Sequence, residues 1–351
     1  MKSQKKNLRV SQRFNQAGFS LVELMVGMTI GLLATLAIVQ VMSSFEAQKR
    51  VTTGTADAQT NGNIALYNMT HDIQSAGYGL MFSGKHTDKV SAIDCASLNA
   101  GSAATGLAPV TIVDGGAGAG GDSITIHSAS TALAGLPTRI ISAPVGKSIT
   151  VASNLGCKNG DVVLISNGAG ACDTATLANT ATVATPTVAA TPAGVTGETR
   201  VELAGAPPAA AVENAVLSCL GGWVTNTYAV SGGNLQLNAN DAVADVVYMK
   251  AQYGVSSDVN SNKITSWETA TDIYGTTMTV DKRNLIKAVR LAVVSRNPKL
   301  EATDVTATCS FTTDGGLSID LSADADCKRY HYSVYETVVP LRNMIWSKDP
   351  A

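Results

Sequence analysis

Charge and aromatic rings are scarce in this chain of 351 residues: Asp, Glu, Lys and Arg make up 15% of it, and Phe, Trp and Tyr 5%. A soluble domain ordinarily carries about a quarter charged residues, so this surface must be built largely from Ser, Thr, Asn, Ala and Gly. Hydrophobic residues still reach 45%, enough for a core and too many for disorder along the whole chain. The length leaves room for one large domain or two small ones. Between Val90 and Met249 the only cations are Arg139, Lys147, Lys158 and Arg200, against ten carboxylates. A segment of that sign is a poor match for nucleic acid, whose binding rests on neutralised phosphates.

Signatures of chemistry are missing as well. The chain has no C-x-x-C pair, no G-x-S-x-G elbow, and no ligand spacing among His71, His86, His127 and His331, which read as ordinary surface or packing histidines. Gly116-Ala117-Gly118-Ala119-Gly120-Gly121 has the letters of G-x-G-x-x-G, but it precedes a strand pattern at Asp122–His127 where a dinucleotide site needs a helix. It reads as a hairpin. Asp258-x-Asn260-x-Asn262 has the alternating oxygens of a calcium loop, yet Lys263 stands where the turn wants Gly and Glu268 falls one residue early. A polar turn is the expectation there, with no metal, cofactor or catalytic residue assigned.

The first eighteen residues carry Lys2, Lys5, Lys6, Arg9 and Arg13 and no acid. Without them the chain holds 20 basic against 27 acidic residues, a net of −7. Phe19 to Met42 follows as an apolar run broken only by Glu23 and Gln40 among strongly polar residues. As a helix it is about 36 Å long, and a bilayer core is about 30 Å thick. A signal peptide would place its small-residue cleavage site after the apolar run, whereas Ala17-Gly18 precedes it. Cations before the span place the N-terminus in the cytoplasm and everything after about residue 45 outside. Ser20-x-x-Glu23 has capping-box spacing. A carboxylate heading a membrane span also needs a charged partner, and cleavage before Phe19 supplies one as a free α-amine.

Gly18-Phe19-Ser20-Leu21-Val22-Glu23-Leu24-Met25 resembles the class III signal of type IV prepilins. The resemblance implies cleavage between Gly18 and Phe19 by a prepilin peptidase, methylation of the new amine, and pairing of Glu23 with the amine of a neighbouring subunit. It covers about a tenth of the chain. Many major pilins break this helix with proline or glycine; here the first proline is Pro109, so a straighter helix is expected unless Gly54 or Gly62 loosens it. Gly27-x-x-x-Gly31 has the spacing for a close helix contact.

The helix is expected to continue as an amphipathic segment with Ile64, Met69 and Ile73 on a stripe beside Leu66, ending at Gly77 or Gly79. Beyond it come short β-branched runs separated by turn residues: VTIV at 110, SITIH at 123, TRIIS at 138, KSITVA at 147, DVVLIS at 161, TRVELA at 199, NTYAV at 226, DVVYMKAQYGV at 245, LIKAVRLAVVS at 285 and YSVYETVV at 332. These indicate antiparallel sheet. Residues 173–197, rich in Ala, Thr and Pro, read as a long exposed loop. The expected fold is therefore α+β and pilin-like: a leader at 1–18, a helix at 19–78 whose first half spans the membrane, and a β-rich exported head at 79–351. In an exported head the six cysteines read as disulfides, and short enclosed loops suggest Cys157 with Cys172 and Cys309 with Cys327, leaving Cys95 with Cys219.

Asp72-Ile73-Gln74-Ser75-Ala76-Gly77-Tyr78, Gln252-Tyr253-Gly254-Val255, Ala288-Val289-Arg290-Leu291 and Val338-Val339-Pro340-Leu341-Arg342-Asn343 are similar to segments of the PilW group of minor pilins. This resemblance implies a non-enzymatic subunit that primes and caps a type IV pilus. Its implied partners are other minor pilins, the major pilin, a large tip adhesin and the assembly platform protein. The nearest alternative is a type II secretion pseudopilin, which shares the N-terminus and the helix-on-sheet plan. A membrane-tethered periplasmic enzyme or binding domain would need a convergent polar pocket that sparse charge does not suggest. A DNA-uptake pilin would need a basic patch, for which Lys282, Arg283 and Lys287 are the candidates.

Overall fold

The computed structural model describes residues 18, 20–80, 97–98, 108–116, 120–130, 136–167, 171–178, 199–275 and 278–346. The chain divides into two compact units, Met1–Thr53 and Gly54–Ala351. Helix α1 runs from Leu21 to Ser75, so its last residues belong to the second unit. No proline interrupts it, and the turn that follows uses Gly77 and Gly79 at φ +74° and +90°, the left-handed region that Gly enters without strain.

The second unit holds three five- or four-stranded sheets. One has the order β1 (Ser97–Leu98), β8 (Ala171–Thr176), β7 (Val162–Ser166), β10 (Val216–Gly221), β5 (Pro137–Arg139). The next is β13 (Asn240–Val243), β12 (Asn234–Leu237), β11 (Trp223–Ser231), β4 (Ser123–Ala129), β2 (Val110–Val113). The last is β15 (Ile264–Glu268), β14 (Val246–Ser256), β16 (Ile286–Arg296), β19 (Tyr332–Pro340), with β3 (Gly120–Gly121) parallel to β14. The described residues also include two ribbons, β6 (Ser148–Val151) with β9 (Thr199–Glu202) and β17 (Ser310–Thr312) with β18 (Ser318–Asp320), and two short α-helices, α2 (Val280–Asn284) and α3 (Arg342–Trp346). Pairing is antiparallel except at β1–β8 and β3–β14.

β16 is apolar almost without alternation because both of its faces are covered. Val289, Leu291 and Val293 join Met69 and Ile73 of α1 in the main core, while Ala292 and Val294 pack under Leu317 and Ile319 around the β17–β18 ribbon. A separate core of Ile140, Ile149, Val163, Ile165, Val201 and Leu217 sits in the lobe formed by β5–β7, β9 and β10.

Several expectations are corrected. Cys157 bonds to Cys219, not Cys172, because β10 lies beside β7 and carries Cys219 to the loop that precedes β7. Cys172 is also disulfide-bonded, and Cys95 lies outside the described residues. Cys309 is joined to Cys327, closing the segment that carries the β17–β18 ribbon. The segment expected as a loop from 173 begins as strand β8: Asp173 is buried and its carboxylate accepts the Ala210 N–H at 2.7 Å, while Leu177 joins the lobe core. Residues 179–198 lie outside the described ones. Strand β5 stops at Arg139, leaving Ile140 in a bridge to Val151 and Ile141 exposed. The glycine run does lie in a hairpin, in the connection between the antiparallel strands β2 and β4, and its end makes a further pairing. Gly120 and Gly121 pair with Tyr248 and Met249, and a Cβ on Gly121 would lie 2.1 Å from the Met249 carbonyl oxygen, too close for any side chain.

Lys250 is a buried cation in the middle of β14. Its Nζ lies 2.8 Å from Asp122 Oδ1 and 3.0 Å from Asp114 Oδ1, and Asp122 also accepts the N–H groups of Ala251 and Gly115. Burial pushes the Asp122 carboxyl up, against the pull of Lys250, so this carboxylate depends on its cation. Removing one partner of such a pair strands the other charge. Lys250→Met is expected to lower unfolding free energy by about 3–5 kcal/mol at neutral pH, measured by urea melts of the purified protein. Because Asp122 binds its proton more tightly folded than unfolded, the deficit should shrink as pH falls through the carboxylate range.

Candidate functional site on the N-terminal helix

The prepilin-like residues stand at the start of α1. Gly18 and Ser20 are exposed, and Phe19 and the leader lie outside the described residues. Glu23 falls in the first turn, exposed, with Leu24 N–H donating to Ser20 O at 3.1 Å. Among the described residues neither the Ser20 hydroxyl nor the Glu23 carboxylate makes a side-chain hydrogen bond, so the spacing of a capping box does not become one. From Leu21 to Phe45 every large apolar side chain is more than half exposed or close to it, and this half of α1 is long and apolar enough to cross a membrane. Gly27 and Gly31 have no other atom within 4 Å of a built Cβ.

In the second unit, α1 turns a narrow stripe to the sheets: Gly54, Ala58, Gly62, Ala65, Met69, Ile73 and Ala76 are buried at steps of three and four. Ile64 is not on it. It is 45% exposed, one position off the stripe that Ala65 occupies. The two glycines do not loosen the helix; they let it approach the sheet. A Cβ on Gly62 would lie 2.3 Å from the Tyr335 ring, and one on Gly54 2.3 Å from the Asn297 side chain. Asn297 meanwhile donates to Thr55 Oγ1 at 3.3 Å.

The end of the helix is tied by polar groups. Asp72 Oδ2 accepts from Tyr228 Oη and Asn226 Nδ2, both at 2.8 Å. Burial, with the Asp72 carboxylate, raises the Tyr228 phenol well above its ordinary pKa and keeps it a donor. Asn343 Nδ2 donates to Ala76 O at 2.9 Å, and Gly77 N–H donates to His127 O at 2.8 Å. These bonds satisfy helix-end groups that would otherwise be orphaned.

The four scattered segments that suggested a family are brought together here. Gln252, Arg290 and Val338 are neighbours in one row across β14, β16 and β19, and Asn343 caps the helix end that holds Asp72. Arg290 stacks over Trp267 at 3.9 Å, lies 3.7 Å from Glu336 and donates to Gly315 O. Sequence reading missed Asn297, Ser295 and Tyr335 as helix-docking residues. The buried small residues at 54, 58, 62 and 65 were the available signal.

Other candidates do not converge. His127 is buried, bonded to Ala108 O and stacked on Trp223, and burial lowers its pKa; His71 is exposed beside Tyr67, and His86 lies outside the described residues. Asp258 Oδ1 accepts the Asn260 N–H within the β14–β15 turn. Arg283 and Lys287 are buried, the latter donating to Val259 O, so they form no surface patch with Lys282. A cleft of about 500 Å³ beside Gly232 and Gly233 contains Arg296, which pairs with Asp324 at 2.9 Å and stacks over Tyr330. No group of three or more potential metal ligands occurs among the described residues.

Residues 13–39 match the family model of the prokaryotic N-terminal methylation motif, which makes the chain prepilin-like. Residues 224–343, from β11 to α3, match the model of PilW, the type IV pilus-assembly protein W. The two matches together span less than half of the chain; they make it similar to a PilW-like type IV prepilin-like protein, and its long apolar N-terminal helix before a β-rich head of antiparallel sheets is an α+β, pilin-like fold. No curated protein and no solved structure gives a significant match.

The seam yields a direct test. Gly62→Val is expected to destabilise the head by about 1–3 kcal/mol, because the added atoms meet the Tyr335 ring. Gly31→Ala should leave its melting unchanged, and thermal unfolding followed by circular dichroism compares the two.

Proposed function

We propose that the chain is a minor pilin of a type IV pilus, held in the inner membrane by residues 19–42 with its N-terminus in the cytoplasm and its head in the periplasm. A prepilin peptidase cleaves between Gly18 and Phe19, and the new amine is methylated. The processed chain then joins other minor pilins in a complex that primes and caps the pilus and passes to the cell surface with it. Major pilin, a tip adhesin and the platform protein are the further partners. The role is structural rather than enzymatic.

The observation that carries this reading is the exposed carboxylate of Glu23, which has no partner among the described residues, at the head of an apolar helix directly after a cationic leader. In lipid a lone carboxylate costs up to about 3 kcal/mol, less near the interface. The amine of a neighbouring processed subunit supplies the counter-charge, which couples leader removal to assembly. The match of residues 224–343 to PilW favours a pilus over a type II secretion pseudopilin.

Glu23→Ala separates assembly from helix capping. Loss of a cap costs about 1 kcal/mol and little else, so a capping role predicts normal pili. The proposal predicts a membrane-held, cleaved protein that fails to restore surface pili in a strain lacking the native gene. Piliation at the native level, at native expression, would show that Glu23 only starts the helix.

A further inference from the structure

Lys250, Asp122 and Asp114 hold more chemistry than an ion pair needs. One carboxylate balances one buried ammonium, yet two converge on it, with side chains of Asp122, Lys250 and Asp114 only 1%, 11% and 18% exposed. The second carboxylate is a further charge kept at a desolvation cost. The Asp122 carboxyl is also fixed more firmly than charge balance requires. The Asp122 N–H donates to Met249 O at 2.8 Å and its Oδ2 accepts the Ala251 N–H at 2.9 Å, so backbone and side chain hold β14 on either side of Lys250. The Gly115 N–H donates to Oδ1 at 3.0 Å. Gly121 lies so close to Met249 O that only hydrogen fits there, and this approach brings Asp122 to Lys250.

These are the groups that an acyl transfer uses. Lys250 Nζ is a nucleophile 2.8 Å from the Asp122 carboxyl, and Asp114 Oδ1 lies 3.0 Å from the same nitrogen as a base. Two backbone N–H groups, one on each Asp122 oxygen, face the charge that a tetrahedral centre at Cγ carries. Burial raises the Asp122 carboxyl and favours its acid form. Burial also works against the Lys250 ammonium, but Asp122 and Asp114 outweigh it and raise its pKa, so the ion pair is the resting form. Transfer of one proton from Nζ to Asp122 converts that form, without change in net charge, into the amine and the carboxylic acid that react.

We propose that Lys250 and Asp122 join in an intramolecular isopeptide bond, with Asp114 as the catalytic residue that moves the proton. The neutral Nζ attacks Cγ of Asp122 and the C–N bond forms. Asp114 takes a proton from that nitrogen and returns it to the hydroxyl oxygen at Oδ1; the C–O bond breaks and one water leaves. Oδ2 becomes the amide oxygen, still bonded to the Ala251 N–H. Burial works against an ionised Asp114, but the Gly116 N–H, Lys250 and the Asp122 carboxyl outweigh it, and the last of these contacts gives the proton a direct path. Asp114 is the most exposed of the three, which gives the water its exit. The bond ties the residue before β4 to the middle of β14 and closes residues 122–250 into a ring that includes the lobe with its own core. Force applied between β2 and β16 then crosses the bond instead of unravelling what lies between them.

Tryptic peptide mapping of the full-length protein, purified and reduced, tests this directly, because trypsin does not cut after an acylated lysine. The expected product is a branched peptide in which residues 90–139 are joined to residues 201–263, one water lighter than the sum of the two, with fragment ions that place the junction at Asp122 and Lys250. Recovery of 90–139 and 201–250 as separate peptides would overturn the proposal and leave a structural ion pair. Lys250→Arg keeps the positive charge and removes the amine, so it should give only separate peptides; a branch in that variant would overturn the assignment of Nζ. Asp114→Asn should slow bond formation by about a hundredfold, so newly made protein of that variant, shown by circular dichroism to be folded, should yield the separate peptides. A branched fraction equal to that of the parent would overturn the role given to Asp114.

Discussion

Everything in the head is arranged around the approach of α1 to the sheet of β14, β16 and β19. A helix ordinarily keeps about 8–10 Å from what it packs on, a spacing set by the side chains in between. Here Gly54, Ala58, Gly62 and Ala65 remove most of that padding, and Tyr335 and Asn297 fill the space directly above the helix backbone. Further along, Met69 and Ile73 restore bulk where the main core is deepest. The polar ties come last, at Asp72 and at the Ala76 carbonyl. Small residues set the distance, large ones supply the hydrophobic stabilisation, and hydrogen bonds fix the end.

The family match falls on the elements that hold the end of the helix. The PilW match begins within β11, which holds Asp72 through Tyr228 and Asn226, and ends at Asn343, the residue that caps the helix. Between them lie the three strands on which α1 rests or through which its sheet is built. The lobe of β5–β7, β9 and β10 falls outside the match, has a core of its own and is stapled to β10 by Cys157–Cys219. The β17–β18 ribbon, closed by Cys309–Cys327, covers the opposite face of β16 and accounts for that strand being apolar on both sides.

Much of this was legible in sequence. Nine of the ten β-branched runs coincide with strands and the tenth, at 138, only begins in one, because turn residues punctuate them and period-two or continuous burial needs branched side chains. The prepilin signal was legible because it is a local chemical pattern. What failed was non-local. Cysteine pairing depends on which strands lie side by side, and short loop length picked Cys157–Cys172 where the neighbour of β7 is β10. Ile64 fits a helical period as well as Ala65 does, but glycine at 54 and 62 fixes the phase of the stripe in favour of the smaller residue. Lys250 and Asp122 were invisible as a pair, since 128 residues separate them and only the parallel contact of β3 with β14 brings their neighbours together.

The exposed half of α1, the cationic leader and Glu23 together support the proposal that the chain is made as a precursor and becomes assembly-competent when its N-terminus is remade. Mass spectrometry of the N-terminal peptide from protein purified out of a piliated host tests it most directly. The account predicts a chain that begins at Phe19 and carries one added methyl group on its amine. An intact leader, or cleavage beyond Met42, would contradict it.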